Sequence, residues 1–134
     1  MATVTERLLE AMNAHDAERF AACFAEDYRS EQPAHPARAF SGREQVRQNW
    51  RAVFSGVPDL AATVLAWAPG PGTELSEWQW SGTHVDGSPF EMRGAMVLGV
   101  EDGQVRWGRL YMEPVEREGA DIDRMVQETY RPPS

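Results

Sequence analysis

Glu101-Asp102-Gly103-Gln104, running into Val105-Arg106-Trp107-Gly108-Arg109-Leu110-Tyr111-Met112-Glu113, is the stretch on which the fold turns. The first four residues read as a tight turn, because Asp and Gly tolerate the backbone angles a hairpin needs. The nine that follow read as a strand. With period two, Val105, Trp107, Arg109, Tyr111 and Glu113 share one face. An indole, a guanidinium, a phenol and a carboxylate together are expensive in a plain core and expected beside a ligand cavity. The expectation is that this face lines one.

Upstream of that strand the pattern is also period two. Leu60 to Ala68 reads as a strand and Pro69-Gly70-Pro71-Gly72 as a turn. Thr73 to His84 is a long strand with Trp78, Trp80 and Gly82 on one face. Val85-Asp86-Gly87-Ser88 turns into Phe90 to Val100, where Phe90, Met92, Met96, Leu98 and Val100 alternate. Before residue 60 the period is helical. Thr3-Val4-Thr5-Glu6 is a capping box for a helix carrying Leu8, Leu9 and Met12. Asp16 caps a second helix with Phe20, Ala21, Cys23 and Phe24 on its apolar side, ended by Ala25-Glu26-Asp27. Tyr28 to Gln32 reads as a short strand, and Pro33 to Phe40 as irregular. Ser41-Gly42-Arg43-Glu44 reads as a second capping box, opening a helix with Val46, Trp50, Val53 and Phe54 at helical spacing. After about residue 117 a tail holds one short amphipathic stretch (Ile122, Met125, Val126), then Arg131-Pro132-Pro133-Ser134.

Helices first and a meander of about four long strands afterwards is an α+β order. Several strands carry apolar residues on both faces. A cone-shaped, strongly curved antiparallel sheet wrapped around the N-terminal helices accounts for that and leaves a conical pocket. The 134 residues suffice for one domain with its own core. The chain has 42% hydrophobic and 25% charged residues, as a folded domain does. Its 13 basic against 21 acidic residues give a net charge of -8, which disfavours nucleic acid and anionic membranes as partners. Cys23 is the single cysteine, so no internal disulfide forms. No run is long enough to span a bilayer. The start lacks a basic-then-apolar signal, and a cytoplasmic setting is the expectation.

Four segments, in this order and spacing, resemble one family. They are Leu8 to Phe24, Phe40-Ser41-Gly42-Arg43-Glu44-Gln45-Val46, Ser81-Gly82-Thr83-His84-Val85-Asp86-Gly87, and Glu101 to Val105 continuing into Leu110-Tyr111-Met112-Glu113-Pro114. Together they resemble the nuclear transport factor 2-like superfamily, in its SnoaL-like branch. The resemblance implies a cystatin-like α+β barrel, a deep apolar pocket and homodimers formed through the convex sheet face. It does not fix function, because ketosteroid isomerases, polyketide cyclases, epoxide hydrolases and noncatalytic binders share the fold.

The positions the resemblance implies can be checked singly. Where the isomerases place a general-base Asp before a Pro, this chain has Gln32. Where they place a phenol in the first helix it has Leu8. Where they place a protonated acid on the penultimate strand it has Ala95 or Met96. Glutamine takes no proton from carbon, so that mechanism is rejected. The cyclases and epoxide hydrolases place an acid at the end of the last strand, and Glu113 stands there. The cyclase histidine is missing near Gly108. Glu91 and Arg93 fall in the stretch where the hydrolases place an Arg and a second acid.

Two readings follow. In the first the chain is a pocket protein binding an apolar small molecule, with Gln32, His35, Trp50, Trp80, Met96 and Trp107 around the ligand. In the second it is an acid–base enzyme using Glu113 with Tyr111 and with Glu91 or Arg93. Each residue also has a structural reading. Glu113 can be paired with Arg109 or Arg93, the tryptophans and Cys23 can be core, and His35 can be a solvated loop residue. Three dispersed histidines give no metal-ligand spacing, and no phosphate loop is present, so no metal or cofactor is expected.

Overall fold

In a computed structural model, which describes residues 2–130, the Thr3 hydroxyl accepts from the Glu6 amide and starts helix α1 (Val4–Asn13). Asp16 does the same for α2 (Ala17–Ala22), accepting from the Arg19 amide at 3.0 Å. Strand β1 (Phe24–Glu31) follows, then a 3-10 turn (Pro36–Arg38), the short β2 (Phe40–Ser41) and helix α3 (Arg43–Gly56). The meander is β3 (Ala61–Gly70), β4 (Thr73–Thr83), β5 (Pro89–Glu101) and β6 (Gln104–Pro114). Helix α4 (Ile122–Tyr130) closes the described chain with its residues exposed, and Arg131-Pro132-Pro133-Ser134 lies outside the described residues.

One sheet runs β2-β1-β6-β5-β4-β3. Its hairpins pair antiparallel, as the turn residues dictate, and Gly72, Gly87 and Gly103 take positive φ in those turns. The one parallel pair is β1 with β6, so the first strand lies beside the last. The sheet folds around α1, α2 and α3. Leu8, Met12, Phe20, Phe24, Val46, Trp78, Leu98 and Val105 form the core between them. Glu74 is buried at one end of this layer. There it accepts from the Thr5 hydroxyl at 2.7 Å and the Trp67 indole at 3.1 Å, fastening α1 to the sheet.

Three local expectations are corrected. The second helix stops at Ala22 rather than near Ala25, and β1 begins at Phe24 rather than Tyr28. Pairing of Phe24 with Val105 on β6 overrides the helical spacing of Phe20, Ala21 and Phe24. Ser41 does not cap α3: it sits in β2 opposite Arg29, and Gly42, at φ 102, is the cap residue. The Gly42 amide donates to the Tyr28 carbonyl at 2.7 Å, which ties the helix start to β1. The third concerns which face of β6 looks inward. The β5–β6 register shifts where Val100 faces Val105 but Gly99 faces Trp107, so Arg106 is an extra residue. Val105 points into the core before this bulge. After it, Gly108, Leu110 and Met112 face the concave side, and Trp107, Arg109, Tyr111 and Glu113 face out. Trp107 lies on Gly99, where an added Cβ would come within 2.0 Å of the indole.

Candidate functional site

The concave side encloses a cavity of about 230 Å³ between the helices and the sheet. Leu8 and Met12 of α1, Phe20 of α2 and Val46, Trp50 and Val53 of α3 form its helical wall. Trp80, Met92, Met96, Leu98, Leu110 and Met112 form its sheet wall, each from the inward face of its strand. Phe24, Tyr28, Ser30 and Gln32 come from alternate positions of β1 and the residue just past it, and Arg38 and Phe40 from the chain beyond. Aromatic contacts stiffen the walls: Trp50 meets Trp80 edge-on at 5.3 Å, Phe20 at 4.3 Å and Phe54 at 5.6 Å between ring centroids.

Polar groups in the lining are few. Tyr28 is buried, and burial pushes its phenol up to about 12, with a hydrogen bond from Ser30 opposing the rise. At neutral pH it is an uncharged phenol. Arg38 donates to Gln32 Oε1 at 2.9 Å. Asn49 accepts from Gln45 at 2.7 Å. Trp80 is 7% exposed, and its Nε1 is buried with no hydrogen-bond partner. Its neighbour Trp78, by contrast, donates to Ser76 at 2.8 Å. No Asp, Glu or His belongs to the lining among the described residues.

The sequence candidates divide accordingly. Gln32, Trp50, Trp80 and Met96 line the cavity, while His35 and Trp107 do not. Trp107 sits on the outer surface, with the Arg109 guanidinium 4.6 Å above its ring. Glu113, Tyr111, Glu91 and Arg93 are also outside the cavity. Glu113 accepts from His35 Nε2 at 2.8 Å, and the two side chains are 51% and 37% exposed. Tyr111 is exposed on the outer face opposite Ala95. Arg93 donates to Gln79 at 2.9 Å. Glu91 is held by Arg117 at 2.5 and 2.6 Å and lines a second, more open hollow with His84, Phe90 and Met92. The geometry thus joins Glu113 to His35, and not to Tyr111, Glu91 or the cavity.

Sequence reading missed Tyr28, Arg38, Asn49, Met92, Leu110 and Met112 as lining residues. Alternation of Leu110 with Met112 was a usable signal for the last strand, hidden by the bulge at Arg106. No pattern pointed to Arg38, because an irregular segment places it at the cavity rim. Among the described residues no three His, Cys, Asp or Glu side chains converge to hold a metal ion, and no helix is long and apolar enough to cross a membrane.

The model of the SnoaL-like domain family matches residues 5–107. No curated protein matches the sequence. Solved structures match the fold. An NTF2-like protein of unknown function from Exiguobacterium sp. 255-15 is 19% identical at a TM-score of 0.70, over 83% of this chain and 98% of that one. IdmH from Streptomyces antibioticus, a candidate polyketide cyclase, is 23% identical at 0.71, over 82% and 89%. An epoxide hydrolase of the LEH-like type from M. tuberculosis is 16% identical at 0.70, over 82% and 80%. At these identities the likeness is one of fold.

Proposed function

The chain belongs to the SnoaL-like domain family, and from that membership and the chemistry of its cavity we propose a noncatalytic pocket protein that takes up a compact, largely apolar small molecule. One observation carries this reading: among the described residues the lining has apolar walls and no carboxylate or imidazole to move a proton near neutral pH. A phenol pushed up to about 12 is not a base under those conditions. At interior packing density a cavity of about 230 Å³ holds on the order of ten non-hydrogen atoms. Two tryptophans in the wall make uptake visible. Titration with 1-octanol is expected to change the fluorescence of Trp50 and Trp80 saturably. Met96→Trp, which fills the cavity from the sheet side, is expected to weaken that binding by at least about tenfold. A linear, unsaturable response in the native chain would overturn the reading.

The second reading, an acid–base enzyme of the epoxide hydrolase or cyclase kind, is favoured by the His35–Glu113 hydrogen bond at 2.8 Å. A carboxylate that orients an imidazole is a general-base arrangement. Both partners are substantially exposed, however, where solvent screens the pair. Turnover of an epoxide or a polyketide substrate that is lost in Glu113→Gln would install this reading in place of the first.

The proposal extends to a homodimer through the convex face. There Leu75 opposite Val97, and Ala95 opposite Tyr111, form an apolar strip across β4, β5 and β6. Leu75 is 49% and Tyr111 43% exposed, and Glu77, Arg93 and Arg109 add both signs of charge, which a two-fold axis can set against each other.

A further inference from the structure

We infer that the molecule held in this cavity carries a carboxylate, bound at the rim by Arg38 together with Gln32. The inference rests on the pocket reading above and names the polar end of its ligand. Arg38 is the one charged side chain in the lining, and it forms no ion pair among the described residues. Arg7, Arg43, Arg93 and Arg109 also form no ion pair among the described residues, but only Arg38 of these lines the cavity.

The neighbouring amides are already oriented for the same purpose. A guanidinium has hydrogens to give and no lone pair to offer. The bond from Arg38 therefore fixes the Gln32 carbonyl toward it and turns the Gln32 NH2 away as a free donor. Asn49 has its carbonyl taken by Gln45, which leaves its NH2 unspent. The buried Trp80 Nε1 also lacks a partner, but it lies beneath the cavity surface and is not counted among the donors. The lining thus carries a guanidinium and two amide NH2 groups, and among the described residues no carboxylate of the lining competes for them. Only an acceptor satisfies that set. An anionic acceptor also uses the charge, since planar guanidinium–carboxylate pairs are short and strong. An ammonium or guanidinium ligand would instead meet the like charge of Arg38, with no acid in the lining among the described residues to offset it.

The test compares octanoate with 1-octanol, near-isosteric chains that differ in the carboxylate, by tryptophan fluorescence titration at pH 7. Octanoate is expected to bind at least about tenfold more tightly than octanol. In Arg38→Gln the ratio of the two affinities is expected to fall to about one, and Arg38→Lys to restore part of it. Gln32→Glu, which supplies Arg38 with an internal carboxylate, is expected to abolish the preference as well. Arg38 is exposed on the 3-10 turn, so these variants keep the core intact. Equal affinities in the native chain would overturn the carboxylate while leaving the pocket reading standing. A ratio unchanged by Arg38→Gln would overturn the assignment to Arg38. If neither compound binds, the pocket reading falls and the carboxylate falls with it.

Discussion

Tyr28 joins strand, cavity and stability in one side chain. Its phenol is held neutral by burial, with a pKa pushed up to about 12, against about 10 when unfolded. The folded chain therefore keeps its proton over a range where the unfolded chain releases it. Stability is whole below pH 10 and is lost as pH rises toward 12, by about 2–3 kcal/mol in total. The buried Cys23 thiol is also raised by burial and gives a loss of the same sign, beginning lower. All 13 basic residues are arginine, so no lysine titrates in this window. Urea midpoints measured from pH 8 to 11 should fall steadily in the native chain. In Cys23→Ala the fall should start later, and in Cys23→Ala/Tyr28→Phe it should largely vanish. Single residues were legible in the sequence where a regular period carried them: Trp50 on its helix, Trp80 and Met96 on their strands. Arg38 was not, since its place depends on the path of a proline-rich segment that no periodicity describes.

Strand β6 was recognised to within one residue at each end and then assigned the wrong face beyond its third residue. A period-two reading propagates one error through every later position, and a single extra residue at Arg106 is enough to cause it. The helices were easier, because Thr3 and Asp16 cap them as their side chains allow. The boundary of α2 failed because Phe24 and Ala25 suit either element and the pairing with β6 decides. Gly108 marks the corrected inward face. A Cβ added there would meet the Tyr28 hydroxyl at 2.7 Å. Gly108→Ala should therefore destabilise by about 1–3 kcal/mol in thermal melts. Adding Tyr28→Phe should recover part of that loss, so the double variant should be more stable than the sum of the two single changes. Strict additivity would place the cost elsewhere than in this contact.

The α+β order and the curved sheet around the helices were both readable, because alternation and capping are written locally. The neighbourhood of β1 and β6 was not, since nothing in either strand names a partner so distant in the chain. That arrangement also decides what the outside of the barrel is free to do. With Trp107, Arg109, Tyr111 and Glu113 turned outward, the convex face gains Tyr111 beside Ala95 and becomes a candidate for self-association. Sedimentation should show a dimer whose dissociation constant rises at least about tenfold in Leu75→Arg. A native chain that sediments as a monomer at every concentration would remove the interface.

The parallel seam has a consequence for how the chain is made. During synthesis α1, α2, α3 and β1 leave the ribosome well before β6 exists. Until then β1 can pair only with the two residues of β2, and the inner side of the nascent barrel stands open to water. The closing step must wait for β6, and such non-local closure is slow. An apolar wall exposed for that interval is what a chaperone grips. The site that later receives a small molecule is thus, early in the life of each chain, its most adhesive surface.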